Sequence, residues 1–367
     1  MVRTPALDPV RHAPSARARE RPLDVALVIP LHGPAGILGP SSELCAQLAA
    51  EELNAGPGVL GRELRLTVVD GSGDPVQVAE EVQGLVRRHQ VEAVAGWHLS
   101  ALREVLAPCI APHVPYVYSA LYEGGEHTPG VFLTGETPAL QLRPAIRWLV
   151  ESLGVRRWTV VGDDYVWPRR SAARAHHYLA ECGVHLVEEV FVPLGTADFQ
   201  ATLERLDRSA ADAVLMLLVG QDAVQFNRQF AAYGLDERCC RLSPLITEDM
   251  LLASGADATR GIYATAGYFE SLVTPSSLDF GARFTRRFGA DAPCLNSPGE
   301  SCYEAVRLLA ELVTRAGSTD VGAVCAAADS ARYEGARGPV RLRGNHLEQP
   351  MYLARADGLE FDVIATL

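Results

Sequence analysis

The chain has 367 residues, with 33 basic residues against 45 acidic ones and a formal net charge of -12. All of the basic residues in that count are arginines, and the chain contains no lysine. The missing amine excludes pyridoxal-phosphate enzymes, P-loop nucleotide hydrolases and protein kinases. The acidic balance argues against nucleic acid and anionic membranes as direct partners.

The first 21 residues hold five arginines and three prolines but no apolar run. A secretory signal needs a continuous apolar stretch of about 7–15 residues. We therefore expect residues 1–21 to be a disordered tail and the protein to be cytoplasmic. The eight cysteines include no C-x-x-C pair and are expected to be buried, reduced thiols, which fits the same compartment.

Short runs rich in Val, Ile and Leu alternate with helical patterns from residue 24 onward, and this order begins again near residue 159. The alternation predicts an α/β fold of two doubly wound parallel-sheet lobes. After residue 246 the pattern loosens and ends in short strands, which indicates that the chain crosses back through a hinge. We assign residues 22–135 and 267–335 to a first lobe, and residues 136–266 and 336–367 to a second lobe.

A glycine-rich loop, Gly33 to Gly39, follows the first strand and opens a helix. Its G-x-x-G-x-x-G spacing differs from the G-x-G-x-x-G of dinucleotide sites, and Pro34 removes a backbone donor. No H-E-x-x-H or G-x-S-x-G motif occurs either. We therefore expect no cofactor, no bound metal and no enzymatic activity.

Aromatic residues are concentrated in the loops that follow the strands. The carboxyl ends of the strands are where an open α/β sheet binds its ligand. The aromatic side chains cover the seam between the lobes or form a cage for a small organic molecule, and we favour the cage because seam and cleft coincide in a two-lobed protein. The candidate ligand-binding residues in these loops are Trp97, His98, Ser100, Tyr118, Ser119, Ala120, Tyr122, Tyr165 and Trp167.

Polar positions at other strand ends leave two interpretations open. Ser100 begins a predicted helix and either caps it or binds a ligand amide or carboxylate. Glu248 either meets a ligand amine or caps the helix that it starts. The remaining candidate ligand-binding residues at such strand ends in the second lobe are Val219, Gly220 and Thr247.

Several segments resemble type I periplasmic-binding-protein folds, particularly the branched-chain amino acid, urea and amide receptors. The opening "PLHGPAGILG" and the following "AAEELNAGPGVLGRELRLTVVDGSGDP" carry the general resemblance. The segments "GWHLSALREVLAP", "YVYSALYEG", "VVGDDYVWPRRS" and "GPVRLRGNHLEQPMYLA" are similar to the amide-binding regulators of aliphatic amidase and to urea receptors.

The resemblance implies two lobes, joined by three crossover strands, that close on a ligand. Its ligand contacts would be Trp97, Ser100, Tyr118, Ala120, Tyr165 and Trp167. Tryptophans at 97 and 167 stand where tyrosines are usual, and an alanine at 120 stands where a threonine is usual. We therefore expect a larger, flatter or more apolar amide, ureido or amino-acid-like compound than acetamide.

Most such receptors are exported and need a secretory signal. Residues 1–21 lack the apolar run of such a signal, which favours the amidase regulators over the transport receptors. The leading hypothesis is a cytoplasmic sensor whose closure on ligand regulates a protein partner such as a transcription antiterminator. The alternative is the substrate-binding receptor of an ABC transporter for amides, urea or branched-chain amino acids. Homo-oligomerisation is left open.

Overall fold

Two lobes, each built on one sheet with helices on both faces, make up the part of the chain that the computed structural model describes, residues 21–367. Residues 1–20 of the predicted disordered tail lie outside the described residues. Within the described range, no helix is both long enough and apolar enough to cross a membrane.

The first lobe has an eight-stranded sheet with the order β11-β12-β13-β5-β4-β3-β1-β2. Its central strands are parallel and fully buried because helices cover both faces. The strands are β1 (Leu23–Ile29), β2 (Leu64–Asp70), β3 (Ala93–Gly96), β4 (Tyr116–Tyr118), β5 (Val131–Leu133), β11 (Arg332–Gly335), β12 (Gly338–Arg343) and β13 (His346–Glu348).

The second lobe has a seven-stranded sheet with the order β15-β14-β10-β9-β8-β6-β7. Its strands are β6 (Arg157–Asp163), β7 (His185–Val192), β8 (Ala213–Leu217), β9 (Cys240–Ser243), β10 (Ile262–Ala266), β14 (Tyr352–Asp357) and β15 (Glu360–Thr366). The predicted fold of two doubly wound lobes is confirmed, and the structure adds antiparallel strands at one edge of each sheet.

The helices pack on the two faces of these sheets and follow the strands in alternation. They are α1 (Gly39–Asn54), α2 (Pro75–Arg87), α3 (Ser100–Ile110), α4 (Pro138–Leu153), α5 (Val166–Glu181), α6 (Gln200–Ser209), α7 (Gln221–Ala232), α8 (Glu248–Ser254), α9 (Pro275–Phe288), α10 (Ser297–Ala316) and α11 (Val321–Ala327). A 3-10 helix, Pro34–Leu38, occupies the glycine-rich loop. Side-chain caps define some of the starts, as where Asn296 Oδ1 accepts from Gly299 N at the head of α10.

Three segments cross between the lobes: 134–137 after β5, 267–274 after β10 and 349–351 after β13. The assignment of residues 336–348 to the second lobe differs from the structure, where β12 and β13 belong to the first sheet. They do so because His346 pairs with Leu133 of β5 and Asn345 O accepts from Leu133 N at 2.8 Å. The return crossing therefore comes after the hairpin and not before it.

Candidate functional site

The carboxyl ends of the two sheets face each other across a closed cleft. The carbonyl oxygen of Pro34, in the first lobe, lies so near Gly220 of the second lobe that a Cβ at Gly220 would come within 2.0 Å of it. Beside the cleft, Arg170 Nη1 of α5 donates to Glu104 Oε1 of α3 at 2.6 Å. One contact joins loops and the other joins helices of different lobes, so the cleft is closed in this structure.

A small cavity lies at the floor of this cleft. Its volume is about 10 Å³, which is room for at most one water molecule. A larger ligand therefore enters only when the lobes separate. The cavity is lined by Trp97, Ser119, Leu121, Glu136, Pro244, Leu245, Ile246, Thr247, Ala266, Ser297, Pro298 and Ser301.

His98 is held inside the first lobe by both ring nitrogens. Nδ1 lies 3.2 Å from Leu99 O, and Nε2 lies 2.7 Å from the hydroxyl of Tyr116. Burial lowers the pKa of His98 to about 3, so the ring is neutral, with Nδ1 as donor and Nε2 as acceptor. The His98 carbonyl also accepts from Tyr118 at 2.8 Å. The prediction of a ligand contact is not supported for this ring, because no nitrogen is left for a ligand.

Arg103, which no sequence motif singles out, packs against two tyrosine rings of the first lobe. Its guanidinium carbon lies 5.4 Å from the ring centre of Tyr118 and 5.0 Å from that of Tyr122, and its Nη2 donates to Glu123 Oε1 at 2.7 Å. Arg103 Nη1, Glu123 Oε2 and Ser100 Oγ are buried with no hydrogen-bond partner. Buried polar atoms are rarely left unpaired, so these atoms are candidates for contact with a polar ligand. The only sequence signal for Arg103 is its position one helical turn after Ser100.

Tyr165 and Trp167 lie at the start of α5. Their ring centres lie 6.3 Å apart, and Trp167 is buried. Burial raises the pKa of Tyr165, and the charges of Asp163 and of Tyr118 in the opposite lobe raise it further. Tyr165 therefore lies close to residues of the opposite lobe, and its place in an aromatic cage stays a prediction.

A pair of carboxyl groups fixes the loops of the second lobe at the cleft edge. Asp163 Oδ2 accepts from Val219 N at 2.8 Å, and Asp222 Oδ2 accepts from Gly195 N at 2.6 Å and Thr196 N at 3.2 Å. Burial, followed by the neighbouring charge of Asp222, raises the pKa of Asp163. Val219, a predicted ligand contact, thus uses its N–H within the second lobe, and the predicted contact Gly220 meets Pro34 instead.

The predicted neighbours Thr247 and Glu248 point in different directions. Thr247 lines the cleft cavity and its buried Oγ1 has no hydrogen-bond partner. Glu248 Oε1 accepts from Glu270 N at 2.9 Å and lines a separate cavity of about 450 Å³ with Cys294 and Phe361. The predicted contact of Glu248 with a ligand amine in the cleft is therefore not supported by its position.

Glu248 gives the fold a pH dependence that substitution can test. Burial raises its pKa to about 8, so the folded chain holds a proton that the unfolded chain releases near pH 4. This stabilisation is complete below about pH 4 and is lost as pH rises through 8. Since Glu248→Gln cannot ionise, the variant should lose less stability than wild type between pH 5 and 9, by roughly 4 kcal/mol, because each pH unit between 5 and 8 costs the wild type about 1.4 kcal/mol. Urea unfolding at pH 5, 7 and 9 measures this difference, with the exposed Glu237→Gln as baseline; equal pH slopes for the two variants would contradict it.

Comparison with known proteins identifies the type of cleft. The sequence profile described as "Periplasmic binding protein" matches residues 22–360. The "Leu/Ile/Val-binding protein homolog 6" of Brucella melitensis is 26% identical over 298 residues, covering 77% of this chain and 75% of that protein. The "Amino acid binding protein" of Pseudomonas aeruginosa is 22% identical over 283 residues, covering 75% of this chain and 74% of that protein.

Solved structures share the fold over nearly the whole chain. An R. palustris solute-binding protein in complex with 4-hydroxybenzoate superposes with a TM-score of 0.84 at 22% identity, covering 94% of this chain and 96% of that one. The branched-chain amino acid transporter substrate-binding protein of Streptococcus pneumoniae, in complex with isoleucine, gives 0.83 at 17% identity, covering 95% and 99%. All of these are described as binding proteins, which agrees with the prediction that the chain is not an enzyme.

The predicted cytoplasmic location is wrong, because the family that matches residues 22–360 is one of periplasmic binding proteins. The free cysteines are not evidence against such a location. Burial raises the pKa of the thiols of Cys45, Cys239 and Cys302, which leaves them poor nucleophiles in any compartment. The regulatory partner rested on the resemblance alone, and none of the relatives described here is named as a regulator.

Proposed function

This chain belongs to the periplasmic binding protein family, and we propose that it is the substrate-binding receptor of an ABC transporter for a small organic ligand. We infer an amino-acid-like, amide or ureido ligand that carries apolar or aromatic bulk. Relatives of the same fold are described as binding isoleucine or 4-hydroxybenzoate, which supports a ligand of this size.

The observation that carries the proposal is a set of unpaired, buried polar atoms on both walls of one cleft. Ser100 Oγ and Arg103 Nη1 belong to the first lobe, and Thr247 Oγ1 belongs to the second. The rings of Tyr118 and Tyr165, from opposite lobes, lie close to each other. A small molecule with a polar end and an apolar body would satisfy the polar atoms and bury its own apolar surface.

Closure of the lobes is the proposed working motion. A ligand that contacts both walls binds the closed state better than the open one and shifts the population toward closure. The Pro34 and Gly220 loops and the Arg170–Glu104 ion pair meet only when the lobes are together. A transporter would then distinguish the loaded receptor by the relative position of its lobes.

Binding can be tested with Trp97→Ala, since Trp97 lines the cleft cavity. L-isoleucine, benzamide, phenylurea and benzoate are first screened by thermal shift, because a ligand that binds only the folded chain raises its stability. For any compound that binds, titration calorimetry should show at least about a tenfold loss of affinity in Trp97→Ala. Trp148→Ala is the matched control, because Trp148 packs on Tyr263, with ring centres 6.0 Å apart, in the second lobe away from the cleft. Equal affinities in the two variants, or no binding by wild type, would contradict the proposal.

A further inference from the structure

One acidic side chain lines the cleft cavity, and it comes from a crossover rather than from a strand end. Glu136 lies between β5 and α4, is buried, and shares the cavity with Trp97 and Thr247. Because a crossover belongs to the hinge, a ligand bound there would touch the element about which the lobes turn.

The hydrogen bonds that the described residues make to the Glu136 carboxylate all reach the same oxygen. Oε1 accepts from Gly267 N at 2.9 Å, from Arg337 Nη1 at 3.3 Å and from Ser297 Oγ at 3.5 Å. No hydrogen bond from the described part of the chain reaches Oε2. One oxygen therefore anchors the carboxylate to the second crossover, and the other is left to accept from a ligand.

A second polar group without a partner lines the same cavity. Thr247 Oγ1 is buried and unpaired, although Thr247 stands at the N-terminal end of α8, where a threonine often caps its helix. By contrast, the hydroxyl of Ser301 is already used, since it donates to Ser119 O at 2.7 Å. The floor thus offers a carboxylate oxygen and one free hydroxyl to the same ligand group.

The charges around Glu136 favour a cationic or N–H-bearing group. The buried Arg337 guanidinium pairs with Glu136 and with Glu300, and Glu304 lies close enough to raise the pKa of Arg337 in addition. Three carboxyl groups therefore surround one guanidinium. Burial raises the pKa of Glu300, the Arg337 guanidinium opposes that rise, and the neighbouring charge of Glu304 adds to it. Acidic groups thus outnumber basic ones at the floor, which favours an ammonium group there.

We infer that Glu136 is a specificity-determining residue of this receptor, accepting a hydrogen bond from the ligand's ammonium or amide N–H through Oε2 while Thr247 supplies a second contact. The inference rests on the proposed receptor function. It moves the amine-binding role expected of Glu248 to the crossover, since Glu248 is bonded to Glu270 N and lines a different cavity.

The test uses two pairs of compounds that differ in their nitrogen group: L-isoleucine against 3-methylpentanoate, and benzamide against benzoate. Calorimetric titration of wild type should show at least about tenfold tighter binding of the nitrogen-bearing member of a pair. Glu136→Gln should lose at least about tenfold for L-isoleucine and less for benzamide, because the variant keeps an acceptor oxygen but no charge.

Glu248→Gln is the matched control and should bind within about threefold of wild type. If Glu136→Gln does not fold, Glu136→Asp keeps the charge but withdraws it by one methylene and should show the same loss. The inference would be overturned if the Glu136 variants kept wild-type affinity or if Glu248→Gln lost affinity instead. It would also be overturned if wild type bound only 3-methylpentanoate and benzoate. Each of these results would leave the receptor function standing. A wild type that binds none of the four compounds would overturn both.

Discussion

Alanine at position 220 should weaken ligand binding by at least about tenfold while leaving both lobes folded. Gly220 has φ 50° and ψ -113°, and an added Cβ would lie 2.0 Å from the carbonyl oxygen of Pro34 in the opposite lobe. Backbone atoms cannot move aside as a flexible side chain would, so the lobes must stay apart. A ligand that needs both walls then binds only the fraction of molecules that still closes.

Gly183→Ala separates lobe closure from backbone strain. Gly183 also has a positive φ, 65°, but a Cβ there would meet nothing within 4 Å. Alanine is strained at the positive φ of both positions, whereas only Gly220→Ala also collides with the other lobe. Calorimetry measures the affinities and small-angle X-ray scattering measures the radius of gyration. Wild-type affinity and an unchanged radius for Gly220→Ala would show that closure does not require this contact.

Arg337→Met should destabilise the protein by about 3–5 kcal/mol, because removing one partner of a buried ion pair leaves its carboxylates uncompensated. The Arg337 side chain is 0% exposed and faces Glu136 and Glu300, whose side chains are 4% and 0% exposed. Urea unfolding measures the loss. Methionine has a similar length, so the effect of a cavity is kept small.

Two further variants identify the cause of that loss. Arg355→Met removes an exposed arginine that pairs with Asp362 at 3.5 Å, and should cost less than about 0.5 kcal/mol. Adding Glu300→Gln to Arg337→Met removes one of the uncompensated carboxylates and should restore part of the stability. Equal losses for Arg337→Met and Arg355→Met would mean that the hinge does not depend on its buried charges.

The sequence predicts the sheets well where strands are buried on both faces. The strands β1 and β8 consist almost entirely of apolar residues, because parallel strands covered by helices need continuous apolar side chains. The predicted lobe is wrong for the edge hairpin of β12 and β13, which belongs to the first sheet. Its alternating pattern identifies strands, but the single pairing of His346 with Leu133 decides which sheet they join, and that pairing leaves no local signal.

The sequence likewise predicts some residues of the candidate site and not others. The aromatic loops at Trp97, Tyr118 and Tyr165 are predictable because the carboxyl ends of the strands define the cleft. Arg103 and Glu136 are not, since their partners are distant in the chain: Glu123 follows Arg103 by 20 residues, and Gly267 follows Glu136 by 131 residues. Their roles come from tertiary proximity, which the sequence pattern does not encode.

Hydrogen–deuterium exchange tests most directly whether the cleft binds ligand by lobe closure. Exchange is compared with and without the compound that binds most tightly in the calorimetric titrations. We expect ligand to slow exchange on both walls at once, in residues 97–100 and 118–122 of the first lobe and 165–167 of the second. Protection confined to one lobe, or to the separate cavity beside Glu270 and Leu359, would contradict the account.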